Sequence, residues 1–169
     1  MYKLGYTVDA SPTAVPVDLT TAGFTGLRAC LKNAQSCVFL VTLAAAASGT
    51  EDVVFTLKEH TASSSGTTTN LANITTVWIK SATTLAGTEQ WVKTTQAAAA
   101  TFTLTGTTYA AKQVQLAIQV NAKDLDDGYD YVSLSAGDPG TVSRLGCVST
   151  LLTDLTVRRD PANLQPTLF

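Results

Sequence analysis

The sequence predicts an all-β protein: an antiparallel β-sandwich or barrel of about eight short strands, with extended N- and C-terminal arms. Three observations lead there. Short runs rich in β-branched and aromatic residues recur at intervals of roughly 8–15 residues, as in sandwiches and barrels. Clusters of Gly, Thr and Ser separate them. No stretch shows a sustained helical period, and Thr20–Ala34 and Gly106–Lys112 offer a turn or two of helix at best. With 169 residues the chain is long enough to bury a core without disulfide or metal staples.

Residues 1–27 carry Pro12, Pro16, Gly5 and Gly23 without periodicity and read as an arm with at most a short strand. The sandwich domain is placed at residues 28–160. Its first strand is the continuous apolar run Cys37–Leu43, which predicts a central strand covered on both faces. Val53–His60 follows, with Val53, Phe55 and Leu57 alternating against polar neighbours and predicting one wet face. Ala62–Asn70 is a low-complexity loop of turn formers. Ile74–Lys80 and Glu89–Thr95 read as strands from their β-branched and aromatic content, and Thr101–Thr105 from its alternation, despite the four alanines just before it. The clearest period of two is Val114, Leu116, Ile118 and Val120, so one face of that strand is core. Tyr129–Ser135 and a strand within Cys147–Val157 complete the set. Residues 161–169 form a proline-containing tail that cannot be a central strand, because proline lacks the ladder donor.

Composition excludes several functions. Lys and Arg number 11 against 13 Asp and Glu, without long runs, whereas Thr and Ala together supply 29 and 23 residues. Such a surface lacks the basic stripe that neutralises phosphates, so no nucleic-acid partner is expected. The longest apolar stretch, Val38–Ala47, is about half of what spans a bilayer, and no secretory signal is recognisable, so no membrane association is expected. Cys30, Cys37 and Cys147 are odd in number and lack metal spacing; they read as buried, reduced thiols of a protein assembled in a reducing cytoplasm.

Candidate chemistry is sparse. Asp124, Asp126, Asp127 and Asp130 could offer oxygens to Ca²⁺, but Tyr129 and Ser135 stand where an EF-hand needs glycine and glutamate. The commoner reading is an acidic turn with Gly128 at positive φ. His60, followed by Ser63, Ser64 and Ser65, could be assembled into a triad on paper, but no strained nucleophile turn is present and no phosphate-binding glycine loop occurs. The reading is a non-enzyme with no catalytic residues, cofactor or metal. Asn73-Ile74-Thr75 matches a glycosylation sequon by chance in a Thr-rich chain. Trp78 and Trp91, with Tyr129 and Tyr131, could stack on sugar rings, although apolar neighbours favour burial. Arg158 and Arg159 suit docking onto an acidic partner surface. Leu164, Leu168 and Phe169 form an apolar end that docking would bury.

Lys32-Asn33-Ala34 leading into Val38–Leu43 is similar to the first core strand of small head-decoration (cement) and minor capsid proteins of tailed bacteriophages. Phe55–Ser63 resembles their following strand and loop, and Ala122–Leu134 their acidic turn before a late strand. The resemblance implies a β-rich, non-catalytic protein that binds the major capsid protein on the outer face of the virion head, as a homo-oligomer and commonly a trimer. Such a protein would be made in the host cytoplasm. Other expectations are a tail, connector or host-adhesion subunit of the virion, or a carbohydrate-binding module.

Overall fold

Every segment read as a strand contributes to one in the structure, a computed structural model that describes residues 3–21, 23–164, 166 and 168. These strands are β4 (Ala34–Leu43), β5 (Val53–His60), β7 (Ile74–Ala82), β8 (Val92–Ala99), β9 (Thr101–Leu104), β10 (Gln113–Asn121), β11 (Tyr131–Ala136) and β12 (Leu145–Leu155). Four further strands join them: β1 (Val8–Asp18), β2 (Phe24–Thr25), β3 (Ala29–Cys30) and β6 (Thr68–Asn70). One turn of helix, α1 (Gly106–Tyr109), is all that the second helical candidate provides. Leu19–Thr21 forms a 3₁₀ turn in the first.

Two antiparallel sheets face each other. The larger has the order β1-β12-β4-β10-β7-β8; in the smaller, β11 and β5 are the central pair. There β2 and β3 line the free edge of β11, while β6 and β9 line that of β5. Alternation decides which side chains enter the core. Phe39 on β4 sits opposite Ile118 on β10 and Thr150 on β12, all pointing inward. Phe39 and Ile118 meet Phe55 and Leu57 of β5, Phe102 of β9 and Leu134 of β11 in one continuous apolar cluster. Burying such side chains stabilises each by about 1.5–3 kcal/mol relative to exposure.

Three expectations are corrected. Residues 1–27, read as an arm with at most a short strand, contain the eleven-residue β1. It escapes detection because it is an edge strand pairing with β12 alone, where Pro12 and Pro16 are tolerated and register breaks flank Ala14. Strand β4 is central but is covered on one face only: Val38 and Leu40 are half-exposed on the outer side and Thr42 is exposed. A continuous apolar run therefore does not prove a double cover. The cysteines are free, yet only Cys37 is fully buried, while Cys30 and Cys147 are half-exposed.

At one end of the sandwich Arg144, 2% exposed, ties three loops together. Its Nε donates to the Ala44 carbonyl (3.0 Å), and Nη2 donates to the carbonyls of Tyr109 (2.9 Å) and Lys112 (3.4 Å). At the other end the C-terminal segment lies back against the body: the Arg159 amide donates to the Gly5 carbonyl at 3.0 Å, and Leu168 bridges Ala29. Among the described residues, no helix is long and apolar enough to cross a membrane.

Candidate functional site

Strict alternation gives the larger sheet an outer face of unusual chemistry. Because Val41, Val148 and Leu116 point inward, their neighbours point out. On β12 these are Leu145, Cys147, Ser149, Leu151 and Thr153; on β4, Val38, Leu40 and Thr42; on β10, Gln113, Gln115, Ala117 and Gln119. None is acidic or basic. Water-facing sheets normally carry charge, and 24 of this chain's residues are acidic or basic, so the composition of these strands is selective. The hydroxyls and amides present each donate and accept.

Charge returns at the end of β12, where Asp154 is exposed, and at the far edge of this face. Trp78 on β7 pairs with Lys93 on β8, and Lys80 Nζ stands 4.8 Å from the centre of the Trp91 ring. Trp78 and Trp91 are 43% and 39% exposed, and the adjacent Val92 is 63% exposed. The apolar neighbours that argued for burial of the tryptophans belong to the alternate face: Val77 and Ile79 are buried while Trp78 is not. The lysines escaped sequence reading because nothing before the β7–β8 register places them beside the indoles.

The expected aromatic platform is split. Tyr131 lies on β11 in the other sheet, where Lys32 Nζ approaches its ring at 5.7 Å, so it and the tryptophans share no surface. The candidate docking residues lie at the tail end. Arg158 and Arg159 are exposed. Arg159 and Leu164 line a cavity of about 170 Å³ floored by Cys30, Leu152, Leu155 and Val157. Leu168 packs against the core beside β3, and Phe169 falls outside the described residues. Leu164 and Leu168 are thus partly covered by the chain itself.

His60 is buried at 4% exposure, and the structure does not bring it to Ser63–Ser65. Its Nε2 and the Ser133 hydroxyl share a 2.8 Å hydrogen bond, as do Nδ1 and the Thr68 hydroxyl. The order Ser–His–Thr resembles a triad, but a hydroxyl cannot balance an imidazolium as a carboxylate does. Burial, with Arg28 and Lys58 nearby, also lowers the His60 pKa to about 4, which weakens it as a base. The group satisfies buried polar atoms. Glu59, 1% exposed on the inward side of the same strand, accepts from the Thr69 hydroxyl and the Asp126 amide, both at 3.0 Å.

The acidic turn disperses its carboxylates. Asp124 accepts from Asn121 Nδ2 at 2.7 Å, and Asp130 pairs with Lys32 at 3.2 Å. Gly128 has φ +84°, the conformation expected of a turn. Among the described residues, no three His, Cys, Asp or Glu side chains are grouped to hold a metal ion. No protein-family model, curated protein or solved structure matches this chain.

Proposed function

We propose that this chain is a non-enzymatic structural subunit of a virion, binding the outer surface of a bacteriophage capsid and decorating or stabilising the head lattice. The observation that carries the reading is the outer face of the larger sheet, broad and without acidic or basic side chains over Leu145–Thr153 of β12 and across β4 and β10, with the exposed Asp154 standing at the end of β12. Such a face loses little hydration when it is covered, which suits assembly rather than catalysis. The resemblance of Lys32–Leu43, Phe55–Ser63 and Ala122–Leu134 to head-decoration proteins directs the reading to a capsid. The major capsid protein is then the partner and the capsid exterior the location.

Arg158 and Arg159, exposed where the chain leaves β12, are the docking residues of this reading. Cryo-electron microscopy of the native particle tests it: a copy number close to that of the major capsid protein is expected. Arg158→Glu with Arg159→Glu should lower occupancy at least tenfold while the domain stays folded. A few copies at the tail or connector would instead make it another virion component. This double variant is a cleaner probe than removing residues 161–169, because Leu164 and Leu168 also cover the chain's own cavity and core.

One observation favours a second reading, a carbohydrate-binding module: two exposed tryptophans share the β7–β8 corner. Lys80 already covers one face of Trp91, leaving Trp78 as the freer stacking surface. Binding on a glycan array that is lost in Trp78→Ala would favour this reading.

A further inference from the structure

We propose that the outer face of the larger sheet is a self-association surface, on which a second copy of this chain stacks face to face about a two-fold axis running along the strands. The inference deepens the structural-subunit reading and rests on it only in treating the face as an assembly surface.

The first argument is chemical. A face bearing one sign of charge repels its own copy, and one bearing charges of both signs must match them in register. Apart from Asp154 at the end of β12, the polar groups on the outer sides of β12, β4 and β10 are amides, such as Gln115 and Gln119, and hydroxyls, such as Ser149 and Thr42. Each donates and accepts, so the surface can satisfy an identical one. Val38, Leu40, Leu151 and Ala117 add apolar area among them.

The second argument is size. Five inter-strand spacings of ~4.8 Å and strands of ~30 Å enclose about 700 Å², close to the roughly 800 Å² that each partner buries in a standard stable interface.

The third argument selects the axis. Two-fold axes lying between stacked sheets can run along the strands or across them. An axis across the strands would set β8 over β8 and bring Lys80 and Lys93 against their own copies, repelling at close range. An axis along the strands reverses the order, so the lysine edge covers the partner's β1 edge, where Ala10 and Pro12 are exposed. That axis passes between β4 and β10 and sets β7 over the second copy's β12. Trp78, Ala117, Leu40 and Ser149 lie in one row across the sheet by register. The large indole is therefore received by the small Ser149 of the second copy, while Ala117 faces its Leu40. Tryptophan is among the side chains most enriched at interface hot spots.

Light scattering during gel filtration of the full chain, from low to high micromolar concentration, tests this without any virus particle. The expected mass is twice the 17.7 kDa of the chain. Ala117→Glu and Ala117→Lys, each confirmed as folded by circular dichroism, should raise the dimer dissociation constant at least tenfold. Mixing these two variants should restore the dimer, because the opposed charges, each over the other copy's Leu40, would lie one strand apart across the axis. Thr103→Lys, on the exposed side of the smaller sheet, should leave the dimer intact. A monomer at every concentration, a trimer, a dimer indifferent to both Ala117 variants, or mixed variants that stay apart would overturn the proposal. Absence of the unaltered protein from native particles, with an intact dimer, would count against the capsid reading alone.

Discussion

His60 illustrates how one register position converts an ordinary side chain into a stability determinant. Its ring is held between the Thr68 and Ser133 hydroxyls, and burial, with Arg28 and Lys58, keeps its pKa near 4 rather than 6.5. The folded state therefore prefers the neutral ring. The stabilisation is fully present above pH ~6.5 and is lost as pH falls through about 4, amounting to at most about 3 kcal/mol. Urea unfolding at pH 7.0 and 4.5 should show this loss, and His60→Gln should flatten the dependence in that window. Carboxylates act lower on the scale. The Ser143 hydroxyl and the Thr20 amide hold Asp18 at about 2, and amides of Val142 and Thr141 lower Glu51. Nothing at residue scale in the sequence announced these groups, because Ser133 lies 73 positions from His60. The burial of His60 was illegible for the same reason: its cover comes from strands and a loop that only the fold assembles.

At the scale of elements, alternation was legible where polar residues fill the wet face, but not in β4, whose outer face carries the apolar Val38 and Leu40. Val114–Val120 and Val53–Leu57 were read in register, and the structure places those side chains in the core. Not every edge strand was legible. Strand β1 carries two prolines and, apart from the buried Thr13, a mixture of half-exposed and exposed side chains, because one of its backbone edges pairs with no strand. Short connections were legible in type, and α1 shows why their sequence is tightly set. The Gly106 amide donates to Asp52 at 2.7 Å, and a Cβ there would stand 2.1 Å from the Thr50 carbonyl oxygen. Backbone, rather than a pliable side chain, fills that space. Gly106→Ala is therefore expected to destabilise the fold by about 2–3 kcal/mol, the range of an overpacked core position. A lowered thermal midpoint with an unchanged far-ultraviolet spectrum at low temperature would be the confirming result.

At the scale of the whole molecule, two facing sheets supply the core, and three free cysteines contribute no cross-link. Stability then rests on buried apolar area and satisfied polar atoms. Differential scanning calorimetry with and without dithiothreitol and with a chelator should give the same unfolding midpoint. A drop with either agent would reveal a staple or a metal that this account lacks.

The sequence by itself determined the fold class, eight of the strands and the inward side chains of most of them, because a period of two is a local consequence of the pleat and needs no partner. It also determined that charge is scarce. Where that scarcity lies was decided only in three dimensions. The outward residues of β12, β4 and β10 come from segments separated by up to about a hundred positions, and strand order alone sets Leu151 beside Val38 and Ala117 beside Leu40. The same long-range pairing placed Lys93 opposite Trp78 and left both indoles in water. Alternation says which side chains share a face of one strand, while backbone hydrogen bonding between distant strands decides what that face becomes.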